Sequence, residues 1–123
     1  MKKIYTYLIF FACLISGCVK HYVEPTDIPQ NVSFRSDIIP LLTGNCESCH
    51  QVGKVFPDLI LSADLAYDQL LTDGINAPYV NATNPESSIL YIRMNKDMPQ
   101  FGLLPISDRK IVLKWIQDGA KNN

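Results

Sequence analysis

Two cysteines three positions apart and followed directly by a histidine, Cys46-Glu47-Ser48-Cys49-His50, are the residues of this chain best placed to do chemistry. The spacing is that of a c-type haem attachment box. On one helical turn the two thiols sit on the same side, where each can add to one vinyl group of the porphyrin. The adjoining histidine then lies under the iron, with an imidazole nitrogen free to bond as the proximal ligand. The chemistry predicted is one-electron transfer at the iron of a single, covalently held haem c.

The same residue types admit two other readings. A C-x-x-C pair also serves thioredoxin-like dithiol exchange, but that motif accompanies a βαβ pattern, and none is visible here. A structural zinc ion takes four ligands. Outside the box the chain offers His21, Cys13 and Cys18, and both cysteines have another explanation given below. With two histidines in the whole sequence, the placement of one directly after Cys49 favours haem over zinc or dithiol chemistry.

Iron bound by His50 has a second axial position. Beyond the initiating residue the methionines are Met94 and Met98. Met94 stands four residues after Leu90 on a helical face and reads as core packing. Met98 precedes Pro99 in a loop, where a rigid turn can direct its thioether at the metal. It is also far enough from His50 to reach the opposite haem face, so Met98 is the expected partner ligand.

The amino terminus bears on where this chemistry takes place. Met1-Lys2-Lys3 supplies positive charge, and Ile4 to Ile15 is an almost unbroken apolar run, too short for a conventional span and fitting for an export signal. It ends in Leu14-Ile15-Ser16-Gly17-Cys18, which resembles a bacterial lipobox. That resemblance implies cleavage after Gly17, so that residues 1–17 are a signal peptide and Cys18 becomes the acylated first residue, a stable membrane anchor. The other reading is an ordinary signal peptide that leaves Cys18 as a free thiol. With Cys13 removed, Cys18 lipidated and Cys46 and Cys49 holding haem, no cysteine remains for a disulfide framework. Export agrees with the box, because haem c in bacteria is attached outside the cytoplasmic membrane. The expected location is the periplasmic side of a bacterial membrane.

Removal of residues 1–17 from the 123 leaves 106, enough for one domain. With Lys2 and Lys3 gone the formal charge of −1 becomes −3, a mildly acidic balance that argues against nucleic acid and for a redox partner protein with a basic docking patch. Residues 18–31, with Pro25 and Pro29 among polar residues, read as a tether that includes His21. The domain then runs over 32–123. Phe34, Ile38, Leu41 and Leu42 recur at helical spacing, with Ser33 or Ser36 as cap. Pro40 is tolerable there only within a first turn. Further helices are expected over Ser62–Leu71, closed by Asp73-Gly74, and from Ser87 or Ser88 through Arg93. A last helix is expected from a Ser107 cap with Ile111, Val112, Trp115 and Ile116 as its stripe. Strand signals are negligible. The sum is an all-α domain whose long loops need something to wrap.

The stretches Val32-Ser33-Phe34 with Asp37-Ile38-Ile39-Pro40, the haem box, Ser87 to Arg93, Met98-Pro99 and Trp115 to Ala120 together resemble a class I cytochrome c-like domain of the small single-haem bacterial type. The resemblance covers nearly all of the chain after the tether. It implies a cytochrome c-like fold of three to five helices around one haem c, with first and last helices crossing so that Phe34 or Ile38 nears Trp115. It further implies that the Pro57 carbonyl accepts a hydrogen bond from the outer nitrogen of His50 and that Leu59 packs on the haem. Arg93 is placed either beside a propionate or as a solvated helix-face arginine.

The expected function is electron transfer, not independent catalysis, since His50 and Met98 would fill both axial positions. Two alternatives stay open: a haem-based ligand sensor with a displaceable sixth position, and an electron-delivering subunit of a larger oxidoreductase.

Overall fold

The computed structural model describes residues 28–123. The expected signal peptide, Cys18 and His21 lie outside the described residues. Among those described there is no strand, and no helix is long and apolar enough to cross a membrane. Four α-helices are present: α1 Ile39–Asn45, α2 Ala66–Asp68, α3 Ile89–Lys96 and α4 Ile106–Gln117. The all-α class expected from the periodicity is what these residues adopt.

The entry to α1 shows how the chain accommodates Pro40. A wider π-helical turn, Phe34–Ile38, precedes α1, and it is opened by Ser33, whose Oγ accepts from the Ser36 amide at 3.3 Å. Pro40 therefore falls in the first turn of α1, where its missing N–H does least harm. Along this continuous helical rod Phe34, Ile38 and Leu42 are buried, whereas Leu41 is only half-buried.

Two expected boundaries shift. The segment from Ser62 begins as a turn, with the Ser62 carbonyl accepting from Leu65 and Ala66, and α2 starts only at Ala66 before a π turn, Gln69–Asp73. Gly74 ends it as expected. A side chain there would come within 2.4 Å of the Gln69 carbonyl and 2.7 Å of the Tyr79 ring, so this close approach needs glycine. The last helix begins at Ile106 with Pro105 in the cap position. Ser107 is thus inside the helix, its hydroxyl turned to Asp108 at 3.2 Å. Proline's fixed φ pre-organises such a start without a side-chain cap.

The core joins the two ends of the domain. Val112, Trp115 and Ile116 of α4 are fully buried, and the Trp115 ring meets that of Phe34 at 5.1 Å between centroids. Tyr67 of α2 completes the group edge-on to Phe34 at 5.2 Å. Hydrogen bonds lock this crossing: the Phe34 amide donates to Asn123 Oδ1 and the Arg35 amide to the Asn123 carbonyl, Tyr67 Oη to the Ala120 carbonyl, and Trp115 Nε1 to the Lys121 carbonyl. The Phe34 approach to Trp115 is the one implied by the resemblance.

Deleting a buried ring at this junction removes both transfer energy and packing. Phe34→Ala is expected to cost about 3–5 kcal/mol, measured as a lowered midpoint in denaturant. Phe101→Ala, at a residue 91% exposed, is expected to change stability by no more than about 0.5 kcal/mol.

Candidate functional site

The Cys46–His50 box occupies the exit of α1. The Cys46 amide donates to the Leu42 carbonyl at 2.8 Å, and the Cys49 and His50 amides both return to the Cys46 carbonyl, at 3.1 and 3.0 Å. This single turn puts Cys46, Cys49 and His50 on one wall of a cavity, as the spacing requires. Both thiols are free. The chain then loops out over residues 51–55 and comes back, with the Phe56 amide donating to the Cys49 carbonyl at 3.0 Å and the Leu61 amide to the His50 carbonyl at 2.9 Å.

Opposite the box, α3 and the loop after it form the other wall. Leu90 and Met94 of α3 are buried in the core and also line the larger cavity between the two walls, while Ile89 and Ile92 remain substantially exposed. Met98 follows α3, its amide held to the Arg93 carbonyl at 2.9 Å. Between the walls lies a cavity of about 460 Å³ bordered by Cys46, His50, Leu59, Arg93 and Met98, within the size range of cofactor sites. A small adjoining cavity of about 30 Å³ is lined by Cys46, Cys49, His50 and Met98 as well. The four residues expected to hold haem share the small cavity, and three of them, Cys46, His50 and Met98, also line the larger one.

Three further positions came from the resemblance. Leu59 is half-buried on the wall of the larger cavity. Arg93 lines it too, with Nε 3.1 Å from Asp97 and its charge close enough to act on His50. Pro57 is exposed and lines neither cavity; the backbone that acts on His50 is that of Leu59. The reason is the course of the chain. Phe56 is tied to Cys49 and Leu61 to His50, and in that short span it is Leu59 that turns inward.

Sequence reasoning missed Phe56. Its ring stacks on the His50 imidazole, with centroids 5.1 Å apart and planes inclined by 28°. No periodic signal marks a lone aromatic in a loop, and only the return of the chain to Cys49 brings it there. Asn76 and Tyr79, also unflagged, close the far side of the larger cavity.

The electrostatics favour neutral groups. Burial, then the neighbouring Cys49, pushes the Cys46 thiol up to about 11, so at neutral pH it is a thiol and not a thiolate. Burial lowers the His50 pKa; the Leu59 backbone opposes this and the Arg93 charge adds to it. The imidazole is therefore kept in the unprotonated form that a metal requires. His50 Nδ1 is buried and makes no hydrogen bond of ordinary geometry. Among the described residues no three His, Cys, Asp or Glu side chains converge to hold a metal ion.

Comparison with protein-family models, with characterised proteins and with solved structures gives no match for this chain.

A buried thiol with this pKa makes a kinetic prediction. In protein produced without haem attachment, alkylation of Cys46, followed by mass spectrometry of its peptide, is expected to rise with pH toward a midpoint near 11. A midpoint at about pH 8.5, the ordinary cysteine value, would contradict the burial described.

Proposed function

We propose that this chain is a one-electron carrier with a cytochrome c-like fold, one haem c bound through Cys46 and Cys49, and His50 and Met98 as axial ligands. The observation that carries the reading is that two free thiols, a neutral imidazole and a thioether border one small cavity, which adjoins a larger, mostly apolar one lined by Cys46, His50 and Met98. Those donors suit haem: a porphyrin fills four positions of the iron, leaving two for protein, whereas zinc asks the protein for three or four. When bound, the haem supplies iron that gains or loses a single electron.

The residues of the chain do the rest. Cys46 and Cys49 would hold the haem, each adding its S–H across a vinyl double bond, sulfur to one carbon and hydrogen to the other, which would need no oxidant. Leu59, Leu61, Leu90 and Leu104 supply apolar walls, which limit water at the site and raise the cost of charge there. Arg93 stands at the cavity with Asp97 on its Nε, and its remaining donors suit a propionate carboxylate. If His50 and Met98 both held the iron, no position would be left on it for substrate, which would suit a carrier better than an enzyme or ligand sensor. Phe101, exposed at the rim of the small cavity, offers apolar surface to a redox partner protein. Export, lipidation at Cys18 and a periplasmic, membrane-anchored location belong to the same proposal and rest on the amino-terminal sequence.

An oxidised and reduced absorption spectrum with a haem-stained denaturing gel tests attachment and ligation together. Met98→Ala is expected to keep covalent haem yet lose the far-red charge-transfer band of the ferric protein. Retention of that band would refute Met98 as ligand, and carbon monoxide binding by the reduced wild-type protein at neutral pH would favour a sensor.

A further inference from the structure

We propose that Phe56 is a positioning residue for His50, orienting the imidazole toward the haem iron by stacking on its face. The inference rests on the haem reading above. It adds a residue that neither the attachment box nor the resemblance supplies.

A histidine that ligates a metal needs its ring plane fixed, and the usual device is a hydrogen bond from its outer N–H to a carbonyl or carboxylate. Here that device is missing from its expected place. Pro57 is exposed away from both cavities, and His50 Nδ1 is buried with no hydrogen bond of ordinary geometry. The Leu59 backbone reaches the ring as a hydrogen-bond partner, but outside ordinary geometry. Rotation about the last side-chain torsion of histidine is intrinsically broad, so a contact of poor geometry leaves the plane loosely held and a second restraint on it matters.

Phe56 is built to do so. Its ring stacks on the imidazole with centroids 5.1 Å apart and planes inclined by 28°, a centroid distance in the range of offset-stacked pairs. The position of that ring is set by backbone on both sides: the Phe56 amide is tied to the Cys49 carbonyl, and the Leu61 amide to the His50 carbonyl. The loop that leaves the box is thereby closed onto the box itself. Phe56 also borders both cavities, so its ring stands beside His50 where water would otherwise approach. A side chain that merely filled volume would need to be apolar; one that fixes a ring plane needs to be flat.

That distinction sets the test, made on the full chain as purified after haem maturation. Phe56→Leu keeps apolar volume without a ring, and Phe56→Tyr keeps the ring. In the ferric protein the shifts of the haem methyl protons depend on the direction of the axial imidazole plane. Phe56→Leu is expected to alter the order or spread of those shifts and to displace the reduction potential, while haem content and melting temperature stay near wild type. Phe56→Tyr is expected to restore the wild-type pattern. A wild-type pattern in Phe56→Leu, or an equally altered one in Phe56→Tyr, would overturn the proposal. Should Phe56→Leu fail to fold, Phe56→Met takes its place with the same expected outcomes. If the wild-type chain carries no haem, the proposed function fails on its own. The stacking is then judged in that protein by nuclear Overhauser contacts between the Phe56 and His50 rings, whose absence would overturn it.

Discussion

The ring of Phe34 is packed against Tyr67 on one side and Trp115 on another, and the placement of the site depends on that contact. Phe34 begins the rod that ends at Cys46, so the junction aims the exit of α1. Three aromatic side chains bury much apolar surface in a small domain, whose core is otherwise marginal. The hydrogen bonds from Tyr67 and Trp115 to the backbone beyond α4 satisfy their polar atoms. This lets the rings be buried without leaving a donor unpaired.

From this anchor the chain reaches the box with one turn to spare. The carbonyls of Leu42 and Cys46 take up the amides that follow α1, so the thiols and imidazole project together instead of spiralling apart. The same burial acts in opposite directions on the two kinds of group. It raises the pKa of Cys46 and lowers that of His50, because in each case the charged form is the one that loses its water. Both end neutral, which suits thioether formation and metal ligation alike in the proposed haem site.

The opposite wall is a different kind of structure. Met94 is held inside α3 by packing, while Met98 hangs on the loop beyond it, secured by its amide to Arg93. Both line the larger cavity, but only Met98 also borders the small one beside Cys49. Asp97 engages the Nε of Arg93 in the same turn, and this joins the loop carrying Met98 to the charged edge of the cavity.

Much of this was legible in residue order. The box, the helical periodicity, the cap at Ser33, the need for Pro40 to sit in a first turn, and the different characters of Met94 and Met98 all follow from local chemistry, which acts over a few neighbouring residues. What was not legible depends on where distant backbone goes. The late start of α2 and the early start of α4 came from turn bonds at Ser62 and from the fixed φ of Pro105, both of which compete with side-chain caps. The exposure of Pro57, the inward turn of Leu59 and the stacking of Phe56 on His50 have no periodic signature, because a loop takes its path from the closures at its ends. The sequence by itself determined an all-α chain and the donor set at the box. Only the tertiary structure decided which neighbours surround His50, since that depends on backbone bonds to Cys49 and His50 made after the chain has folded back.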